Sequence, residues 1–151
     1  MRLLLAVSAD GYLALGPQDD MRWTGPIDKA VFRLLTLSSG NDTLYAGSRT
    51  FDQMPKLPGR RLERLSRSGK TVASAANTDR HSWLIGGGEV ALEALRQGLI
   101  DRAFICVSPV VLGSGIPFAP LASLMPDPQY TIKVGDVKVM VYTEDQLWPA
   151  R

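Results

Sequence analysis

The chain has 151 residues, with 17 Lys and Arg against 15 Asp and Glu, for a net charge of +2. That length suits one domain, and 45% hydrophobic with 21% charged residues describes a globular chain with a real core, not a disordered one. One cysteine, Cys106, and one histidine, His81, exclude an internal disulfide and a metal centre built from Cys or His clusters, so no metal is expected. The cations are scattered apart from Arg60, Arg61, Arg64 and Arg67, a run too short for nucleic-acid binding. It suits an anionic small molecule or a solvated edge. The apolar run after Met1 is too short for a signal peptide or a membrane span. A cytoplasmic protein acting on a small molecule is expected, monomeric or homodimeric, with no nucleic-acid or membrane partner.

Leu3 to Val7 reads as a strand covered on both faces. A long loop from Asp10 to about Trp23 follows, of a length that is often functional. Thr24-Gly25-Pro26 starts a helix with Thr24 as its cap, running to about Ser38. Ile27, Val31, Leu34, Leu35 and Ser38 form its expected core stripe, and Asp28, Phe32 and Thr36 an adjacent one. Thr43 to Ala46 is a strand, Gly47 to Met54 a turn into a short helix, and Pro55 to Gly59 a rigid turn. Leu62 to Leu65 and Thr71 to Ala73 are weaker strand patterns. Trp83 to Ile85 is a buried strand, Glu89 to Leu99 a helix, Ala103 to Val107 a strand and Pro109 to Phe118 a loop. Tyr130 to Val134 and Val137 to Val141 alternate about Gly135-Asp136 as a hairpin. Strands interleaved with helices and ending in a hairpin predict a single α/β domain with a mixed, mostly parallel central sheet, flanking helices and a C-terminal antiparallel hairpin.

Three glycines, Gly86, Gly87 and Gly88, join a buried strand to a helix. There a phosphate-bearing ligand can approach the backbone, unless the glycines only make a tight turn. Gly47-Ser48-Arg49-Thr50 repeats the layout, so a dinucleotide across two helix N-termini is expected, although neither turn matches the G-x-G-x-x-G fingerprint. Asp28 sits in the first turn of a helix that faces the core. It serves either the helix dipole or, as a carboxylate in an apolar pocket, the amidine-like edge of a heterocycle. Phe32, one turn on, offers a ring face for stacking or is plain core.

The segment Asp28-Lys-Ala-Val-Phe32-Arg-Leu-Leu-Thr36 resembles the substrate helix of dihydrofolate reductases, with its D-x-x-x-F-x-x-x-T pattern. Gly47-Ser-Arg-Thr50-Phe51, Leu57-Pro58-Gly59-Arg60 and Leu65-Ser66 resemble that family's next stretch in the same order. Ile85-Gly-Gly-Gly88 resembles its cofactor turn, with a cis peptide at Gly86-Gly87, and Met21-Arg-Trp23 the end of its mobile loop. The resemblance covers nearly the whole chain.

The resemblance implies an NADPH-dependent reductase that converts dihydrofolate to tetrahydrofolate. Asp28 would anchor the pterin and assist protonation of its N5, and Trp23 would position a water. Leu5, Val7, Phe32, Met54, Leu57, Ile85 and Cys106 would contact the substrate, and Arg60 would pair with the glutamate tail. Gly47, Ser48, Arg49, Thr50, Ser66, Arg67, Gly86, Gly87, Gly88, Glu89 and Val90 would hold the cofactor, with Ser66 and Arg67 favouring NADPH over NADH.

Departures accompany it. The stretch from Ser66 to Ile85 is short for the family, which implies the loss of a helix beside the adenine. Ala91 stands where a pocket tyrosine is common, and Cys106 where a hydroxyl residue usually supports the carboxylate. Ser8-Ala-Asp-Gly11 and Ser108-Pro-Val-Val-Leu-Gly113-Ser-Gly115-Ile-Pro-Phe118 are similar to the reductase domain of riboflavin synthesis. The alternatives are therefore that pathway's pyrimidine reductase and a non-catalytic nucleotide-binding protein on the same fold.

Overall fold

The computed structural model describes residues 1–38, 40 and 42–147. Its core is a seven-stranded sheet in the order β4-β3-β5-β1-β6-β9-β8, formed by β1 (Arg2–Val7), β3 (Thr43–Gly47), β4 (Arg61–Leu65), β5 (Trp83–Leu84), β6 (Arg102–Val107), β8 (Tyr130–Val134) and β9 (Val137–Tyr142). The first five in that order run parallel, while β9 runs antiparallel to β6 and β8 to β9. Parallel strands are covered on both faces, and the apolar runs of β1 and β3 meet that demand, every residue of β3 being buried.

Two core layers flank the sheet. One packs Leu4, Leu44, Trp83, Cys106, Val137 and Val139 against Val31 of α1 (Gly25–Leu37). The other packs Leu3, Leu5, Val7 and Tyr45 against α3 (Val72–Thr78), α4 (Gly88–Arg96), α5 (Ala119–Ala122) and α6 (Glu144–Leu147). With α1 and α4 on opposite faces, the carboxyl ends of β1 and β5 are where open α/β sheets of this kind bind ligands. The short α2 (Ser48–Gln53) follows β3 at the same end. Among the described residues no helix is long and apolar enough to cross a membrane.

Several expectations need correction. Thr71 to Ala73 is not a strand: Thr71 caps α3, its hydroxyl accepting from the Ser74 amide at 3.2 Å. The stretch between Ser66 and Ile85, short as it is, thus still holds one helix of seven residues. Thr24 precedes α1 without capping it, because its hydroxyl donates to the Met21 carbonyl at 3.0 Å. The buried stripe of α1 is Asp28, Val31 and Thr36, whereas Leu34 is 69% exposed and Ser38 is exposed. Thr36 can be buried because its hydroxyl donates to the Phe32 carbonyl at 2.7 Å. α4 ends at Arg96, short of Leu99. Gly98 adopts φ +69, and the Leu99 amide closes the end on the Ala94 carbonyl at 3.0 Å.

The two long loops are joined. β2 (Tyr12–Ala14) pairs antiparallel with β7 (Ile116–Pro117), and the Phe118 amide donates to the Gly11 carbonyl at 2.9 Å. A Cβ on Gly115 would stand 2.0 Å from the Ala14 carbonyl oxygen, at a φ of +142 that side chains rarely adopt. Gly113 also has a positive φ, +81, but open space around it. Gly115→Ala is therefore expected to destabilise the fold by at least about 2 kcal/mol. Gly113→Ala should cost about 1 kcal/mol. Thermal melts of the two variants check the difference, and equal losses would contradict the contact.

Candidate active site

Asp28 is fixed by the first turn of α1, with Ile27, Phe32, Leu35, Leu57 and Ile85 half-buried around the same core layer. The residue is only 9% exposed. Burial pushes its pKa above the ordinary carboxylate value, opposed by the Thr24 hydroxyl and the Lys29 ammonium. The Thr24 hydroxyl has one proton, also claimed by the Met21 carbonyl, and it accepts from Lys29 Nζ at 2.9 Å. Cys106, on β6, belongs to the same layer. Burial, then the Asp28 charge, pushes its thiol up to about 12, so it stays protonated at neutral pH.

Arg60 follows the Leu57-Pro58-Gly59 turn and is half-buried. Its Nη1 donates to Thr36 Oγ1 at 3.1 Å, its Nε to the Pro58 carbonyl at 3.2 Å, and its guanidinium lies 5.9 Å from the Phe32 ring centre. Burial, and then the Arg33 charge, lowers its pKa below the ordinary arginine value. Both acceptors are neutral, and among the described residues no carboxylate pairs with Arg60. The arrangement is a cation held in place beside an apolar pocket, able to take an anionic group.

The two glycine turns touch. The Gly47 amide donates to the Gly86 carbonyl at 2.8 Å, and the Gly86-Gly87 peptide is cis. A Cβ on Gly47 would reach Val90 Cγ2 at 2.9 Å, and Cβ atoms on Gly86 and Gly87 would meet Thr50 Oγ1 at 3.3 and 3.2 Å. Only glycine leaves the backbone accessible here. Ser48 donates to the Leu65 carbonyl at 3.4 Å, which ties α2 to β4. The Ser66 amide donates to the Lys70 carbonyl, and Ser66 Oγ accepts from the Gly69 amide, both at 2.9 Å. Arg49, Arg67 and Glu89 are exposed around this edge. The glycine cradle with flanking hydroxyls and cations fits a phosphate-bearing dinucleotide. No group of three metal-ligating side chains occurs among the described residues.

The structure thus gathers Asp28, Phe32, Leu57, Ile85, Cys106 and Arg60 on one side, and Gly47, Ser48, Thr50, Gly86, Gly87, Gly88 and Val90 at the neighbouring strand ends. Met54 closes α2 and is half-buried. Leu5 and Val7 lie in the opposite core layer, with α3 and α4. Trp23 Nε1 donates to Asp19 Oδ2 at 2.8 Å, so the donor expected to hold a water is engaged within its own loop.

Sequence reading missed Asp10 as well as Asp19. The Asp10 carboxylate accepts from Ser8 Oγ at 2.7 Å and from the Leu112 and Gly113 amides at 3.0 and 2.8 Å. The Ser8 hydroxyl, then these amides, outweigh desolvation and hold Asp10 at about 2. An Asp-Gly pair after a buried strand was the available signal, but its partners lie about a hundred residues away.

No family model and no curated protein sequence matches the chain. A crystal structure described as "Putative riboflavin biosynthesis protein", from Shewanella sp. PV-4, is similar in fold. It superposes with a TM-score of 0.61 over 94% of this chain and 97% of that one, at 20% identity. The likeness establishes the dihydrofolate reductase-like α/β fold.

Because the Asp28 pKa is raised on folding, the folded state holds the extra proton between the unfolded and folded values. The stability this contributes is complete below the unfolded value and lost as pH rises through the folded one. Asp28→Asn, which keeps the shape without the buried charge, is therefore expected to melt higher than the wild type at neutral pH. The gap should close on acidification. A variant less stable at pH 7, or a gap independent of pH, would contradict the burial cost.

Proposed function

We propose that the protein is a dinucleotide-dependent reductase of a phosphoribosyl aminopyrimidine, the reaction type of the riboflavin pathway. The observation that carries a nitrogen-heterocycle substrate is Asp28, a buried carboxylate in an apolar layer next to the two glycine turns. A carboxylate of this kind takes the paired N–H donors of an aminopyrimidine edge, and desolvation strengthens the contact. Phe32, Leu57 and Ile85 cover the ring and exclude water, while Arg60 and Arg33 face the anionic end of the substrate. Gly47, Ser48, Arg49, Thr50, Gly86, Gly87, Gly88, Glu89 and Val90 would seat the dinucleotide, and Ser66 and Arg67 the extra phosphate that makes NADPH the cofactor. The dinucleotide would supply the hydride, leaving the protein to supply position and a dry pocket.

Two observations favour the pyrimidine. The segments resembling riboflavin reductases, Ser8 to Gly11 and Ser108 to Phe118, bind each other: Asp10 accepts from the Leu112 and Gly113 amides, the Ala9 amide donates to the Val110 carbonyl, and the Phe118 amide donates to the Gly11 carbonyl. The similar solved structure is also described by riboflavin biosynthesis. A second reading, reduction of dihydrofolate, is favoured by Arg60, whose guanidinium suits the glutamate tail.

Loss of NADPH absorbance with each substrate separates the readings. Turnover is expected with the phosphoribosyl aminopyrimidine and little with dihydrofolate. Asp28→Asn should lower kcat/KM by about ten- to a hundredfold, the weight of a charged hydrogen-bond partner. Arg60→Leu should raise KM more than it lowers kcat. Faster turnover of dihydrofolate would install the folate reading, and none with either would leave a nucleotide-binding protein.

A further inference from the structure

Between Ala14 and α1 the chain curls around one side chain that the proposed reaction does not use. Asp19 Oδ2 accepts from the Leu15 amide at 2.7 Å and from the Trp23 indole at 2.8 Å, while Oδ1 accepts from the Met21 amide at 2.8 Å. The Asp19 amide closes back on the Gly16 carbonyl at 3.2 Å. Met21 is the one non-glycine residue with positive φ, at 61, among those described. A methionine is strained in that region, so local bonds must hold it there. Desolvation acts to raise the Asp19 pKa, but the three donors outweigh it and the net shift is downward, keeping the carboxylate charged.

The curl is fastened to both halves of the site. Leu13 Cδ1 lies where a Cβ on Gly88 would come within 3.1 Å, so the loop packs on the start of α4. Gln53 of α2 donates to the Pro17 carbonyl. Lys29 of α1 donates to the Met21 carbonyl at 3.2 Å, next to Asp28. From Leu13 to Met21 the chain therefore touches the start of α4, the far end of α2 and the carboxylate helix, with Asp19 within it. Asp20, its neighbour, faces outward and pairs with exposed Arg22 at 3.1 Å.

We propose that Asp19 is a positioning residue: it gathers Leu15, Met21 and Trp23 so that the loop borders the dinucleotide seat and the mouth of the Asp28 pocket. The inference rests on the reductase reading for its use, but not for its geometry. Without the carboxylate, three donors lose one acceptor at once, Met21 loses the bond that holds its strained backbone, and Trp23 swings free. Preorganisation of the loop is then lost to ligand binding.

The test uses the full chain with Asp19→Ala, Asp19→Asn and, as a control of equal charge change, Asp20→Ala. In a proton–nitrogen spectrum the Trp23 indole resonance, assigned by Trp23→Phe, should move toward the solvent-exposed position in Asp19→Ala. Its hydrogen exchange should quicken. The NADPH dissociation constant, from cofactor fluorescence without turnover, should rise roughly tenfold in Asp19→Ala, with Asp19→Asn intermediate. Asp20→Ala should match the wild type in both. An unmoved Trp23 resonance or an unchanged NADPH affinity in Asp19→Ala overturns the proposal, as does an equal effect of Asp20→Ala. A wild type that binds no NADPH would defeat the reductase reading instead, while the indole resonance still decides whether Asp19 holds Trp23.

Discussion

At the carboxyl end of the sheet the Gly47 amide meets the Gly86 carbonyl at 2.8 Å, and this backbone contact governs what surrounds it. A side chain at Gly47 would collide with Val90, and side chains at Gly86 or Gly87 would press on Thr50, so glycine lets β3 and β5 end side by side without displacing either helix. That closeness sets α2 beside the start of α4 and places the two turns next to the layer that carries Asp28. The topology makes these strand ends the place where open α/β sheets bind ligands, and the glycines decide how closely the two turns approach there.

Charge in the site is kept apart. Asp28 is buried at one end of the apolar layer and Arg60 stands at the other, held by the Thr36 hydroxyl and a carbonyl rather than by an acid. Had the two paired, each would have cancelled the other's use to a ligand. Cys106 fits this separation. Burial, then the Asp28 charge, keeps it a neutral thiol, so it adds no charge to the layer.

The loops are governed by two aspartates used in the opposite way. Asp10 and Asp19 take several donors each, and both are held below the ordinary carboxylate value. A carboxylate accepting two or three N–H or O–H groups serves as a local organiser in a segment with little apolar area of its own. Asp10 ties the first loop to the loop after β6, and Asp19 curls the rest of it toward α1. The mobile-loop likeness of Met21 to Trp23 therefore rests here on side-chain bonds, with the indole turned to Asp19.

Much of this was legible in the sequence where the signal is local. The apolar runs of β1, β3 and β6, the Gly135-Asp136 hairpin, the Pro26 helix start and the glycines after Ile85 each set their own backbone. α3 was equally local but misread: the β-branched pair Thr71-Val72 looked like a strand, although the capping threonine and the alanines that follow suit a helix. Tertiary structure alone decided which stripe of α1 is buried, because Leu34 has no facing layer while Asp28 and Thr36 do. It alone formed β2 and β7, strands of three and two residues that exist only as each other's partners. It alone gave Asp10 its amides a hundred residues away and turned Leu5 and Val7 from the Asp28 side to the other. Residue types and short spacings fix local geometry and the chemistry on offer. Which groups meet depends on loop closure and burial, and those belong to the folded chain.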